Sequence, residues 1–415
     1  MGSLPLDALQ AGMILAEDLY GSDGKMLLPK GVVLTDSHLH SLRQRGVSGA
    51  VVVDAADAEA AESALDPALL AQSEAHLAPF FFANDTSHPV IELLYNQAAL
   101  RLAQALAAGK PMPKDIPPSS RAESMGDLFF RAEGGAKDIV SHEIQLASFP
   151  DIYFKIRQVL DSATSSTAQV ADVISKDTSL TAKLLKLVNS PFYGLPQRID
   201  SISRAVMVIG GQEISTLALG ISAINAFKDI PTELINMRTF WEHSVAVGAL
   251  AQVLGKAIRH GAAERLFVAG ILHDIGRLII FKKLPHAAVE TIYYARANQT
   301  PMVTAEQDVL GFTHPQVGGL LLRAWKFPEP LVAIVACHHN PLACPDNVEP
   351  AILHLADIIA IAMGLTPPAS AMVPTLEPAA WTALGLSTDA LPEVIEAGLA
   401  QVDDIISAFF PSPKN

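Results

Sequence analysis

Residues 170–214 read VADVISKDTSLTAKLLKLVNSPFYGLPQRIDSISRAVMVIGGQEI, and this run decides how the rest of the 415-residue chain is understood. Leu180, Leu184, Leu187 and Val188 recur at helical spacing after Asp177, whose carboxylate suits an N-cap. That helix must stop at Asn189-Ser190-Pro191, because proline disfavours helical backbone in the residue before it. Ser201 can cap a second helix that carries Ile202, Val206 and Ile209 on one face, closed by Gly210-Gly211. Taken alone, these residues predict an all-helical domain.

Outward from this run, composition narrows the class. Half of the residues are hydrophobic and 17% are charged, enough apolar surface for substantial cores. The length predicts two or three domains. A net charge of −14 argues against a nucleic-acid partner, which needs clustered Lys and Arg, and against drawing the Gly210-Gly211 turn as a DNA-reading helix-turn-helix. Only Cys337 and Cys344 occur. Two cysteines exclude a disulfide scaffold and fit a reducing compartment, with Cys337 read as a small buried thiol. No segment reads as a membrane span or a secretory signal, so the expected location is cytoplasmic, without a membrane partner.

Residues 1–55 read as a small α+β module. Gly21-Ser22-Asp23-Gly24 supplies turn chemistry for a hairpin, Thr35 can cap a short helix that points Leu39 and Leu42 inward before Gly46, and Gly49–Val53 looks like a strand. Residues 56–109 read as two helices with a break near Asn84 to Pro89. Residues 110–135, dense in Pro, Ser and charge, read as a linker.

The 170–214 run, with IQLASFPDIYFKIRQVL at 144–160 before it, resembles the HDOD branch of the HD phosphohydrolase superfamily. The hallmarks are VNSPFYG and SISRAVMVIGG. The likeness extends over residues 136–410 and implies a mainly α, all-helical domain. The stretch from Leu9 to Thr35 is similar to the module that often precedes HD-GYP domains.

Between His243 and His339 the histidines cluster beside acids or in pairs. His243, the doublet His273-Asp274, His314, the pair His338-His339 and Asp357 are all nitrogen or oxygen donors. Such a set suits Fe, Mn or a related divalent metal better than a structural zinc. Asp357 stands one turn after His354 in an otherwise apolar helix, where a carboxylate is costly unless paired or coordinated. His354 itself reads as core, and His260 and His286 as solvent-facing. WEHSVAVGALA, ILHDIGRL, FTHPQVGGLLL, CHHNP and LHLADIIA follow the HD-superfamily order within residues 240–365. That resemblance implies His243, His273, Asp274 and Asp357 as ligands of one metal, with His314, His338 and His339 completing a second site. Asp274 would bridge them, and Arg277 would hold a phosphate oxygen.

After His338-His339, HD-GYP relatives carry an acidic residue and Gly-Tyr-Pro, whereas here Asn340-Pro341-Leu342-Ala343-Cys344 follows. Two functions therefore stand open. One is a metal-dependent phosphohydrolase of a signalling pathway, with one or two metals, acting on a nucleotide or cyclic dinucleotide. The other is a catalytically silent HDOD module working through a signalling protein partner or its own oligomer.

Overall fold

The computed structural model describes residues 2–10, 13–15, 19–20, 26–28, 34, 39, 42, 47, 49–53, 66–113, 135–146, 151–160, 166–190, 193–224, 227, 230, 235–365 and 372–410. They fall into two compact units, residues 1–73 with 102–111, and residues 74–101 with 112–415.

In the smaller unit, Gly49–Val53 is the central strand of a three-stranded sheet between Gly2–Pro5 and Ile14–Leu15. Both neighbours run antiparallel, with Ser3 opposite Val51 and Leu15 opposite Val52. Leu19–Tyr20 pairs with Met26–Leu28 as the hairpin pattern predicts. The turn itself, Thr35 and Gly46 lie outside the described residues. Leu15, Leu34, Leu39, Leu42 and Val52 form the core of this unit.

The larger unit is helical, as the 170–214 run predicts. Asp177 caps Thr178–Val188 by accepting from the Leu180 N–H at 2.9 Å, and Leu180, Leu184, Leu187 and Val188 are all buried. Ser201 caps Ile202–Ile209, which ends at Gly210 with φ of 115°. Asn189 does more than stop a helix. Its side chain donates to the Ile199 carbonyl and accepts from the Ile199 N–H, both at 2.7 Å, and so clamps the intervening loop.

Met237–Ala257 is the axis of the unit, buried on nearly every face from Phe240 to Gly255, and Ala263–Leu272, Val348–Ala362 and Leu391–Phe409 pack against it. Two glycine contacts set how closely the helices approach. A Cβ on Gly270 would stand 2.3 Å from the Gly248 Cα, and one on Gly276 would stand 2.1 Å from the His314 carbonyl oxygen. Only hydrogen fits at either place, so the backbones that carry His243, His273, Asp274 and His314 are drawn together. Among the described residues, no helix is long and apolar enough to cross a membrane.

Candidate metal centre

ILHDIGRL is not one helix. Ala263–Leu272 ends and Ile275–Lys283 begins on either side of His273-Asp274, which places both side chains at a helix junction deep in the core. His243 comes from the axial helix, His314 from the first turn of His314–Ala324, and His338 from the C-cap of Glu329–Cys337. His339 follows His338, and Asp357 lies inside Val348–Ala362. The structure brings all seven together. His243, His273, Asp274, His314, His338 and Asp357 are each 2% exposed or less.

The imidazoles share one orientation. Nδ1 of His243 donates to the Leu365 carbonyl, that of His273 to Gly270 and that of His338 to Val335, each at 2.7 Å. Nδ1 of His314 donates to Glu306 Oε2 at 2.6 Å. A carbonyl oxygen or carboxylate can only accept, so each ring carries its proton on Nδ1 and turns the Nε2 lone pair inward. His314 Nε2 and His338 Nε2 then face each other at 3.2 Å, an arrangement that repels unless a proton or cation lies at the pair.

The carboxylates converge on the same space. Asp357 Oδ1 is 3.3 Å from His243 Nε2 and 3.7 Å from His273 Nε2. Asp274 Oδ1 is 3.1 Å from His314 Nε2, and its Oδ2 receives Arg277 Nη1 at 2.9 Å. Nε2 of His273 and His339 and Oδ1 of Asp274 and Asp357 are buried without a hydrogen-bond partner. Each such atom costs about 1–3 kcal/mol unless something else binds it. The donors fit a cation: His243, His273 and Asp274 form one group that could hold a metal ion, and His314, His338 and His339 form another.

Burial pushes the imidazoles of His338 and His339 well below the ordinary histidine range, which keeps them neutral. For Asp274, burial acts upward, but Arg277, His273 and His314 outweigh it and hold the carboxyl well below its usual range. Burial acts upward on the Asp357 carboxyl, but the facing imidazoles of His243 and His273 outweigh it and hold it at about 2. At neutral pH the centre therefore presents His338 and His339 as neutral imidazoles beside ionised carboxylates, the forms in which these groups can hold a metal.

The chain contains an HDOD domain. The HDOD domain family model matches residues 146–341. Over 225 residues, 53% of this chain, it is 26% identical to an uncharacterized protein of Treponema pallidum (strain Nichols); the match spans 43% of that relative's length. Its fold is similar to that of a candidate phosphohydrolase from Shewanella amazonensis SB2B, with a TM-score of 0.50 and 24% identity over 64% of this chain and 98% of the other. A candidate signal transduction protein from Marinobacter aquaeolei VT8 aligns at a TM-score of 0.50 and 18% identity, covering 76% of this chain and 72% of its own. At such identities the likeness establishes the fold.

Around the centre, Glu306, His260 and Cys337 depart from the sequence reading or escaped it, whereas His354 follows it. Glu306 is buried and accepts from both Nδ1 and the backbone N–H of His314, at 2.6 and 2.8 Å. Its helix, Met302–Leu310, also carries Thr304, Gln307 and Asp308, so the residue pattern does not single Glu306 out. His260 is half-buried and bonded to Glu349 at 2.9 Å rather than solvent-facing. His354 belongs to the core, donating to the His338 carbonyl and accepting from the Glu377 N–H. Cys337 is not a free thiol but is joined to Cys344 across a separation of seven residues, which removes the cysteine-based argument for a reducing compartment.

Proposed function

We propose that this HDOD protein is a metal-dependent phosphohydrolase of a signalling pathway, acting on the phosphate of a nucleotide or cyclic dinucleotide. One observation carries the reading: buried donor atoms that the protein leaves unsatisfied converge on one space beside Arg277. His243, His273, Asp274 and Asp357 would hold one divalent ion, Fe or Mn by donor type, and His314, His338 and His339 a second, with Asp274 shared. A metal pair bound there would supply Lewis acidity toward a phosphoryl oxygen and lower the pKa of water. The chain's own residues do the rest. Arg277 offers its guanidinium to a phosphate oxygen while it keeps Asp274 ionised, and the buried helix junction excludes bulk water.

The test is elemental analysis of untagged protein, paired with phosphate release from nucleotides, in wild type and in Asp274→Ala. About two Fe or Mn per chain and measurable turnover, both lost in the variant, are expected. Turnover retained by the variant would overturn the assignment.

A regulatory reading has one observation in its favour. Met207 and Val208, at the end of Ile202–Ile209, are 78% and 52% exposed, an apolar tip suited to a protein partner. Protein that holds metal without hydrolysing any phosphate ester would favour this reading.

A further inference from the structure

A cleft of about 220 Å³ leads from the surface to Arg277 and His339. Its walls include residues outside the 146–341 match, above all Phe80 and Met372. Phe80 is held firmly. Its carbonyl accepts from the Val373 N–H at 2.8 Å, and Asn84 donates to the carbonyls of Val373 and Pro374 at 3.1 Å while accepting from the Leu376 N–H at 2.9 Å. The wall opposite the metal centre is therefore pinned.

Charge is the second observation. The chain carries a net charge of −14, yet among the described residues no Asp or Glu lines this cleft, whereas Arg277 and Arg296 both do. Phe80, Met302, Ile361 and Met372 supply apolar surface beside the two guanidiniums, of which Arg277 also pairs with Asp274. A pocket lined by two guanidiniums, an aromatic ring and no carboxylate suits a small anion that carries a flat apolar body. Size is the third. The cleft is smaller than the roughly 300–1,000 Å³ of pockets that enclose drug-sized ligands, which favours one base over two.

We propose that this cleft binds a phosphate-bearing ligand of single-nucleotide size, with its phosphate toward Arg277 and His339 and its planar part against Phe80, and that Phe80 and Arg296 determine its specificity. The direction of the phosphate rests on the phosphohydrolase reading. The size and charge of the ligand rest on the cleft alone.

The experiment is isothermal titration calorimetry on the full chain loaded with Mn²⁺, using adenosine 5′-monophosphate, adenosine and cyclic di-GMP as probes. Adenosine 5′-monophosphate is expected to bind at least about tenfold more tightly than either of the others, since a charge-assisted contact is worth that much. Phe80→Ala and Arg296→Ala should each weaken it by about tenfold, and Phe80→Tyr, which keeps the ring, should restore it. Cyclic di-GMP binding as tightly as the monophosphate, no binding of the monophosphate, or an unchanged Kd in both alanine variants would overturn the proposal. Tight monophosphate binding without phosphate release in wild type would support it while removing the hydrolase reading, so the two failures are distinguishable.

Discussion

Glu306 illustrates how one residue sets a ligand. By accepting from His314 Nδ1 it fixes the tautomer and aims Nε2 at Asp274 and His338. Glu306→Ala removes the acceptor, and loss of such a support typically costs 10–100-fold in metal affinity. We expect Mn²⁺ affinity to fall by about that factor with little change in helix content, read by calorimetry and circular dichroism. Protonation follows the same logic. Burial lowers the imidazoles of His243 and His314, but Asp357 and Glu306, respectively, outweigh it and leave both raised. A raised imidazole holds its proton to higher pH, and that proton must leave before Nε2 can coordinate. Metal binding should therefore release protons and strengthen as pH rises through and above the ordinary histidine range. Titrations in buffers of different ionisation enthalpy would measure the release, and heats independent of buffer would contradict it.

At the scale of elements, the centre depends on how closely helices approach. Gly276→Ala would drive Ile275–Lys283 off the His314 carbonyl and the Gly318 N–H, separating Asp274 from His314. Overpacking of this kind costs about 1–3 kcal/mol, and we expect that loss in chemical denaturation together with reduced metal stoichiometry. Native metal content with undiminished stability would show that the helices need not touch there. A second tie joins Ala263–Leu272 to Val348–Ala362. Arg265 Nε donates to Glu349 Oε2 at 2.9 Å, a second guanidinium nitrogen reaches Oε1, and His260 bonds the same carboxylate. Burial pushes the Glu349 carboxyl up, but Arg265 and then His260 outweigh it, so the folded state holds it below the ordinary value. A lowered carboxylate adds stability above its unfolded pKa and loses it as pH falls through the folded one. Glu349→Gln should thus cost about 1–3 kcal/mol at neutral pH, and the gap to wild type should close on acidification below about pH 4. A gap constant with pH would rule out the ionised carboxylate as its source.

For the whole molecule, the centre is where the axial helix, the 273–274 junction and the three segments bearing His314, His338 and Asp357 meet. A cation there binds the folded chain and not the unfolded one, so it should stabilise by mass action, by about 2.7 kcal/mol at a free concentration 100 times Kd. Adding Mn²⁺ to chelator-treated protein should raise Tm by several degrees, and Asp274→Ala should show no such rise. An equal rise in both would place the metal elsewhere.

The helical class of the larger unit, its caps at Asp177 and Ser201, and the segments that carry the histidines were legible in residue order alone. These are properties of local spacing and capping, which a linear pattern records. It also showed that Asp357 needed a partner, because a carboxylate in an apolar helix cannot stand alone. Residue order held no record that His273-Asp274 is a junction between helices, that Glu306 supports His314, that Cys337 meets Cys344, or that Phe80 and Met372 wall the cleft. These depend on backbones approaching at Gly248–Gly270 and Gly276–His314 and on segments almost 300 residues apart meeting at Asn84 and Val373. Periodicity along one helix carries no record of which other helix it will meet, so packing alone settles those contacts.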